Sequence, residues 1–337
     1  MKRLYIIYAI ALGCLCMTAC VNHEDGLQDR AAEEISLSAV VDDVEIMSRA
    51  SDSPIIHAAV WFSLTSGNYP SEVPEEEKTP DMKESNVPVH SSIDFQSGAA
   101  AYPDSDNEIT KPRYPTSREP VYCVGFCPVD GWSHDGDDVQ TARHEINGND
   151  DLMFAPEISG SWERHFEFQH YRHLLTWLKI AVCTTTAEAD KYWGKLKKIT
   201  LNSVPESLTI DLTKPESDSF SLQSAVTYSQ TKRSLLILNR NDEDDDDKND
   251  PIKMGITMQE VASVYCHPSP HYELVIECEH ATTKPVTINL QALDGSTITY
   301  PAGLQYVVML YFHPFNVVEG VCTLNAWNAQ NEDLYPN

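Results

Sequence analysis

Residues 34–41 read EISLSAVV, and this short stretch has the repeat that decides the fold. Every second residue is apolar, namely Ile35, Leu37, Ala39 and Val41. A period of two places these side chains on one face of an extended chain, whereas an amphipathic helix needs a period of about 3.6 residues. The stretch therefore predicts a half-buried β-strand.

The same period recurs along most of the chain. Further strands are predicted in IIHAAVWFSL, SIDFQ, PVYCVGFCP, DLMFAP and FEFQHYRHLLTWLKIAV, then in KKITLNSV, SLTIDL, RSLLILN, VASVYCHP, YELVIECE, VTINLQAL, YVVMLYF and GVCTLNAW. Many short strands with turn residues between them are typical of antiparallel β-sandwiches. A chain of 337 residues can hold two cores. We predict an all-β protein with two tandem antiparallel sandwiches, spanning residues 34–193 and 194–337.

Three segments break this pattern. Residues 65–90 are rich in proline and charge, and residues 130–151 are dense in Asp, Asn and Gly, so both predict exposed loops. TTTAEADKYWGKLKKI predicts one helix, with Thr186 as its N-cap and acidic residues in the first turn.

The amino-terminal segment has the features of a secretory leader. Lys2 and Arg3 precede LYIIYAIALGCLCM, which is too short to cross a bilayer, because that requires about 20 apolar residues. MTAC, ending at Cys20, resembles the lipobox of bacterial lipoproteins, which implies cleavage before Cys20 and acylation of that residue. Residues 1–19 would then be the signal peptide and residues 20–33 a flexible tether. The alternative is an ordinary signal peptide with an incidental cysteine.

Charge and cysteine content limit the partners. The formal net charge is −27, which disfavours nucleic acid and anionic lipid headgroups as partners. Six cysteines follow Cys20, and export permits disulfides without requiring them. Cys123 and Cys127 would lie too far apart on one strand to form a bridge with each other. We interpret most of these cysteines as small buried apolar side chains.

No motif in the chain predicts catalysis, a metal site or a cofactor. His170 and His173 have metal-like spacing, but residues three apart on a strand face opposite sides. His267 and His271 flank a PSP turn and are interpreted as polar turn residues. The acidic runs at 130–138 and 241–250 lack the order of an EF-hand and predict at most weak calcium binding. We therefore predict that the protein is not an enzyme.

Several short motifs, in order along the chain, resemble the fimbrillin family of Bacteroidales, whose members are lipoprotein subunits of pili. FQHYRHLLTWLKIAV places His170 or His173 a few residues before a small apolar strand, as that family does. PAGLQYVVMLYF at 301–312 is similar to its late aromatic strand, and LNAWN at 324–328 to its tryptophan near the end. MTAC and the dipeptide Arg49–Ala50 lie where the family has its lipidation and processing sites.

The resemblance implies two transthyretin-like sandwiches, a location at the outer membrane surface and assembly with other subunits into a fimbria. It also implies that a trypsin-like protease cuts after an arginine in the first long strand, which here would be Arg49, before Ala50. Arg30–Ala31 has the same dipeptide but precedes the strand pattern, so a cut there would release no strand. The alternative is that Arg49 is an uncut residue of a surface loop.

Removal of the first strand would expose unpaired backbone groups and apolar pockets, which an extended segment of a neighbouring subunit can fill. A candidate donor is the carboxyl-terminal GVCTLNAWNAQNEDLYPN. Residues 321–327 are interpreted as the last strand of their own sandwich, and residues 328–337 are then the expected donor tail. The chain does not decide between a shaft, a tip and an anchor subunit.

A second function class is a surface-anchored glycan-binding lipoprotein of a polysaccharide-utilisation system. Such a protein needs aromatic rings displayed on an open platform. Trp132 and Trp162 lie in polar segments and are the candidates, whereas Trp61, Trp177 and Trp327 lie in apolar strand patterns. A third class, a secreted hydrolase, has only carboxylates in loops to support it.

Overall fold

The structure is a computed structural model of the chain, and it describes residues 34–41, 56–70, 90–96, 98–101, 112–213, 225–240, 250–289, 302–315 and 317–325. Residues 34–337 form one compact unit. The predicted leader and Cys20 lie outside the described residues. Within the described ranges, no helix is long and apolar enough to cross a membrane.

The all-β fold predicted from the sequence is confirmed. The elements, in chain order, are β1 (Ser38–Val41), β2 (Ile56–Ser63), β3 (His90–Gln96), β4 (Ala99–Ala101), β5 (Val121–Cys127), β6 (Ser133–Asp135), β7 (Asp138–Glu145), β8 (Met153–Gly160), β9 (Phe168–His173), β10 (Thr176–Thr184), α1 (Ala187–Trp193), β11 (Leu196–Pro205), β12 (Ser207–Asp211), β13 (Val226–Tyr228), β14 (Lys232–Asn239), β15 (Gln259–Cys266), β16 (His271–Cys278), β17 (Val286–Asn289), β18 (Gln305–His313) and β19 (Val317–Asn325).

In the first half of the fold, β1 to β9, all strands except β6 and β7 close into a barrel in the order β1-β4-β3-β2-β5-β8-β9. Closure depends on β1, because this strand pairs with β4 on one side and with β9 on the other. The barrel encloses its own apolar core, which includes Ile35, Leu37, Phe62, Phe95 and Tyr171. Closure leaves none of these seven strands with an open edge, which is the arrangement that protects backbone groups from water.

In the second half, β10 to β19, all strands except β12 and β13 form a sandwich of two four-stranded sheets. Their orders are β15-β10-β18-β19 and β14-β11-β16-β17. Leu178 and Ile180 from the first sheet and Ile199 and Ile276 from the second belong to one buried cluster, so the two sheets share a core. Most pairings are antiparallel, as predicted, but β10–β18 and β1–β9 are parallel.

A fourth sheet, in the order β13-β12-β7-β6, connects the two halves. It pairs β7 from the first half with β12 from the second. The large buried cluster continues from Trp61 and Phe126, in barrel strands β2 and β5, through Leu208 of β12 to the sandwich core. The prediction that residues 130–151 form a surface loop is wrong, because β6 and β7 lie within them. The predicted division into 34–193 and 194–337 stays a prediction.

The predicted helix is confirmed as α1. Thr186 is its N-cap, and the Thr186 hydroxyl accepts a hydrogen bond from the Ala189 amide at 3.1 Å. The prediction for the cysteines is also confirmed, because the six described ones are all free. Five of them are buried and Cys322 is partly buried.

Candidate functional site

The candidate site is the position that the first strand occupies in the barrel, which we call the β1 slot and define by residues 35–41 and their neighbours in β4 and β9. Ile35, Leu37 and Ala39 point into the barrel and are 2%, 1% and 5% exposed. Ser36 is exposed and Ser38 is partly exposed. The alternation predicted from the sequence is thus the alternation between barrel interior and surface.

Backbone hydrogen bonds hold this segment on its β4 side. The Ile35 amide donates to the Pro112 carbonyl at 2.8 Å, and the Ala39 amide donates to the Gly98 carbonyl at 2.9 Å. The Ala100 amide donates to the Leu37 carbonyl at 3.0 Å. These last two bonds flank Ser38 and Ala99, which therefore form a non-hydrogen-bonded antiparallel pair, the kind with the shorter Cα–Cα distance of about 4.5 Å.

On its other side the slot is bounded by β9. The parallel register places Ala39 beside Gln169 and Val41 beside Tyr171. Gln169 and Tyr171 are fully buried in the barrel. The Tyr171 hydroxyl donates to Gln169 Oε1 at 3.2 Å. These two long side chains occupy the barrel interior next to position 39, which explains why β1 has a small residue there.

The Gln169 amide continues this polar chain inside the barrel. Gln169 Nε2 donates to Cys123 Sγ at 3.4 Å. Burial raises the pKa of the Cys123 thiol and of the Tyr171 hydroxyl well above their usual values. Both groups therefore stay protonated and neutral, as a closed apolar core requires.

A buried carboxylate holds the segment that follows β2. Glu157 of β8 accepts hydrogen bonds from the Ser66 hydroxyl at 2.6 Å, the Gly67 amide at 2.7 Å and the Tyr69 hydroxyl at 2.6 Å. Burial and the neighbouring Glu157 raise the pKa of Tyr69 well above its usual value. This clamp is made without any residue of β1, so it can support the barrel wall when β1 is absent.

Loss of β1 would expose both unpaired backbone groups and apolar pockets of the slot to water. The edges of β4 and β9 would lose their backbone partners, and the pockets of Ile35 and Leu37 would open to water. Full burial of one such side chain is worth about 1.5–3 kcal/mol, and each net backbone hydrogen bond about 0.5–1.5 kcal/mol. The arrangement can therefore bind an extended apolar segment by strand addition.

The predicted processing residues lie outside the described structure, whereas the predicted donor segment lies partly within it. Arg49 and Ala50 lie outside the described residues, as does Cys20. The donor candidate begins within β19, which pairs with β18 from Val317 to Asn325. Residues 326–337 lie outside the described residues.

The two tryptophans of the glycan-platform alternative are not brought together. Trp132 follows β5 at its Cys127 end, and Trp162 follows β8 where Gly160 pairs with Val121, at the opposite end of the same ladder. A seven-residue strand separates those ends by about 20 Å. The Trp132 ring packs on Phe126 with a centroid distance of 4.8 Å, and Trp162 packs against the barrel core. Both rings are partly buried.

A cavity of about 550 Å³ lies beside the Trp132 loop. Most of the residues that line it are polar or charged, and they include Asp130, Ser133, Arg143, Glu145 and Asp150. His144 lies at its base, with its ring nitrogens 2.6 Å from the Glu145 carbonyl oxygen and 3.1 Å from the Asp130 carbonyl oxygen. These backbone contacts fix the loop around His144.

Two of the histidines singled out in the sequence, His173 and His267, contact other residues of the fold. His173 is buried with its Nδ1 2.9 Å from Asp151 Oδ1, whereas His170 faces the other side of β9. The ring of His267 packs against Tyr228 and Tyr272. Burial, with smaller effects of Lys232 and His271, lowers the pKa of His267 to about 4. Across the described ranges, no group of three or more His, Cys, Asp or Glu side chains is placed to hold a metal ion.

Sequence reasoning missed Gln169 and Glu157. The alternation in FQHYRH places Gln169, Tyr171 and His173 on one strand face, and this signal was available. It does not say that the face with two polar residues points inward. Glu157 carries no local signal, because its three donors come from a segment about 90 residues earlier in the chain.

Comparisons with known proteins bear on the fold. No model of a protein family matches the chain, and no curated protein matches it by sequence. A "putative cell adhesion protein" from Bacteroides uniformis aligns with a TM-score of 0.51 and 12% identity, covering 88% of this chain and 98% of its own. A protein of the same description from Bacteroides ovatus aligns with a TM-score of 0.51 and 14% identity, covering 90% of this chain and 100% of its own.

A fimbrial protein from Bacteroides vulgatus aligns with a TM-score of 0.43 and 14% identity, covering 88% of this chain and 99% of its own. The chain shares the fold of the Bacteroides uniformis and Bacteroides ovatus proteins along nearly its whole length. This shared fold agrees with the resemblance drawn from the sequence motifs.

Proposed function

We propose that this protein is a structural or adhesive subunit of a cell-surface fimbria and that its subunits join by strand exchange at the β1 slot. The observation that supports the proposal is the position of β1. It is paired on both edges, and its inward side chains complete the barrel core. The role is one of assembly and adhesion rather than catalysis, and its partners are other fimbrial subunits.

Proteolysis after Arg49 opens the slot in this proposal. A cut between Arg49 and Ala50 separates the whole of β1 from the rest of the chain, because β1 ends at Val41. The released strand is then held only by its hydrogen bonds and its buried side chains. An extended segment of a neighbouring subunit replaces it, since the neighbour can make the same backbone bonds and fill the same pockets.

Export and anchoring complete the proposal. Residues 1–19 act as a lipoprotein signal peptide, and Cys20 carries the lipid that holds the unprocessed protein at the surface of the outer membrane. Two or more acyl chains give stable anchoring, whereas one chain is marginal. Residues 20–33 then form a tether between the lipid and the barrel. After a cut at Arg49 the lipid stays on the fragment that carries β1, so the departure of β1 from the slot and the release of the remaining chain from the membrane are one event.

A disulfide that locks β1 in place tests the proposal. Ser38→Cys with Ala99→Cys joins β1 to β4 at a non-hydrogen-bonded pair, where cross-strand disulfides fit. Residues 21–337 carrying both changes are cut at Arg49 with an arginine-specific protease. The reduced protein should form filaments visible by negative stain, and the oxidised protein should stay monomeric.

The single variant Ala99→Cys is the matched control and should form filaments under both conditions. Arg49→Ala, which keeps β1 attached, should stay monomeric with the protease present. Filaments of equal length and number from the oxidised and reduced double variant would refute strand exchange at this slot.

A further inference from the structure

The cavity beside the Trp132 loop takes no part in strand exchange. Its volume of about 550 Å³ lies within the range of about 300–1,000 Å³ that is usual for pockets of small ligands. Every residue that lines it lies between Pro128 and Asp150, in the segment from the end of β5 to the start of β8. Among the described residues, none that lines the cavity belongs to the β1 slot. The cavity is therefore a second candidate site, separate from the slot.

Two side chains of opposite charge line the cavity with unused hydrogen-bonding capacity. Arg143 Nε donates to the Ser207 hydroxyl at 3.2 Å, which fixes the arginine against β12. The terminal N–H groups of the Arg143 guanidinium have no partner among the described residues, and the same is true of the Asp130 carboxylate. Ser133 lies opposite Arg143 in the β6–β7 ladder and adds a hydroxyl to the wall. The cavity thus offers a group that only donates, a group that only accepts and a hydroxyl that does both.

The other two carboxylates of the wall already have partners. Glu145 Oε2 is 3.8 Å from Arg233 Nη1. The Asp150 carboxylate accepts a hydrogen bond from Asn147 Nδ2 at 2.5 Å. These contacts leave Asp130 as the carboxylate that is available to a ligand.

The base of the cavity is rigid. The His144 ring is fixed between two backbone carbonyl oxygens, and its centroid lies 4.9 Å from that of the Trp132 ring. Trp132 Nε1 donates to the Pro128 carbonyl at 3.1 Å. Gly131 has a φ of +91°, and a Cβ at this position would collide with His144 Nε2. The loop therefore closes tightly on the histidine, and the cavity is formed before a ligand enters.

The charges of the wall narrow the class of ligand. A cation would be repelled by the Arg143 guanidinium, and an anion by the carboxylates of Asp130, Glu145 and Asp150. A hydroxyl group both donates and accepts, so it can pair with Asp130 and with Arg143. A saccharide ring presents several hydroxyl groups at fixed positions, and a rigid ligand in a preformed cavity loses little conformational freedom.

We propose that this cavity binds a neutral saccharide of one or two rings, whose hydroxyl groups accept hydrogen bonds from Arg143 and donate them to Asp130. The inference names the ligand class of the adhesive role and in that respect rests on the proposed function. Trp132 contributes by holding His144 in place rather than as part of an open aromatic platform.

Titration of the uncut chain, residues 21–337, with neutral disaccharides tests the ligand class. The probes are maltose, cellobiose, lactose and N,N′-diacetylchitobiose, with glucuronic acid as the anionic and glucosamine as the cationic comparator. Binding is followed by the NMR signal of the Trp132 indole N–H, which is assigned by its loss in Trp132→Phe. At least one neutral disaccharide should shift this signal saturably and bind more tightly than either charged sugar. No saturable shift with any neutral probe, or tighter binding of a charged sugar, would overturn the proposal.

Variants of the wall test the location. Asp130→Asn and Arg143→Gln should each weaken binding about tenfold or more, because each removes charge-assisted hydrogen bonds. Ser133→Trp should abolish binding by filling the cavity while both charges remain. The matched control is Asp137→Asn, which makes the same charge change in the turn between β6 and β7, outside the cavity, and should alter binding less than about twofold. All four positions are exposed, so the urea midpoints should stay at the native value. Unchanged binding in the three cavity variants would place the saccharide elsewhere and overturn the assignment.

These outcomes are separate from a failure of the proposed function, because the uncut chain is titrated and no filament is needed. Saccharide binding by a chain that forms no filaments after cutting at Arg49 would refute strand exchange and leave the cavity site standing. Filaments from a chain that binds none of the neutral probes would leave the assembly standing and refute the ligand class.

Discussion

β1 and β10 have the same kind of position in the fold but are held very differently. Each lies between an antiparallel neighbour and a parallel neighbour. β10 is nine residues long and pairs with β18 and β15 over nearly its whole length. β1 is four residues long, and its register with β4 is the single pair Ser38–Ala99. Central position alone therefore does not make a strand permanent.

The connections of the two strands explain the difference. β10 follows β9 directly and leads into α1, and its side chains lie in the cluster that joins barrel wall and sandwich. β1 is at the start of the compact unit, and its side chains lie only in the barrel core. Removing β10 would break both cores, whereas removing β1 would open one slot. β1, with its short ladder at the start of the compact unit, is thus the strand whose removal would disturb the smaller part of the packing.

The largest effect that tests this comparison is expected from Leu178→Ala in β10. Leu178 and Leu37 are equally buried, each 1% exposed, so truncation costs about 2–5 kcal/mol of local packing at either site. Leu178→Ala should lower the free energy of global unfolding by that amount. Leu37→Ala should leave the main urea midpoint unchanged and instead speed hydrogen exchange at the Ile35 and Ala39 amides.

The matched control within β1 is Val40→Ala, because Val40 is only partly buried on the outer side of the strand. It should change neither the urea midpoint nor the exchange of those amides beyond about 0.5 kcal/mol. A global destabilisation by Leu37→Ala as large as that by Leu178→Ala would show that β1 is as integral as β10, and the comparison would fail.

The sequence predicted the local structure of β1 and α1 well, because a period of two and a helix N-cap are local signals. It predicted β1 from Ile35, Leu37 and Ala39, and it predicted α1 from its N-cap. It did not predict that β1 closes a barrel, since the pairing of β1 with β9 joins residues about 130 positions apart. No local pattern encodes such a pairing.

The sequence analysis also failed to predict the polar strand β7. β7 reads DVQTARHE, and its composition favours a loop, yet it forms a strand because β12 provides a partner from the second half. Strand propensity depends on such neighbours more than on the residues themselves. For the same reason the slot residue Gln169 could be placed on a face by alternation, but its role beside Ala39 needed the register.

A smaller effect should appear when the pH is lowered. It concerns His267, which directly follows β15, the antiparallel neighbour of β10. Burial lowers the pKa of His267 to about 4, below the 6.5 expected in the unfolded chain. Between these values the unfolded state binds a proton that the folded state does not, so stability falls as the pH drops from about 6.5 to about 4. The loss amounts to at most about 3 kcal/mol for this histidine.

The measurement is the urea midpoint at pH 7 and at pH 5, for the native protein and for His267→Gln. The variant should lose stability between the two pH values by less than the native protein does. His280→Gln is the matched control, because His280 is exposed and lies beyond the other end of β16. An identical pH dependence in native protein and His267→Gln would show that this histidine is not the source.

The smallest expected effect concerns the wall of the β1 slot. Gly125 of β5 leaves room for the Tyr171 ring, since a Cβ at this position would lie 2.6 Å from Tyr171 Cζ. Gly125→Ala must displace this ring, and overpacking of this kind costs about 1–3 kcal/mol. Tyr171 lies beside Val41 in the parallel register, so the strain falls on the contact between β9 and β1.

We expect Gly125→Ala to release β1 faster after a cut at Arg49, measured as the rate at which a fluorescently labelled 21–49 fragment leaves the rest of the chain. Gly255→Ala is the matched control, because it has open space and lies in the second half. If Gly125→Ala slows release or leaves it unchanged, Tyr171 does not transmit strain to β1. Faster release with an unchanged urea midpoint for the sandwich would instead show that the barrel can loosen its first strand while β10 holds the remainder together.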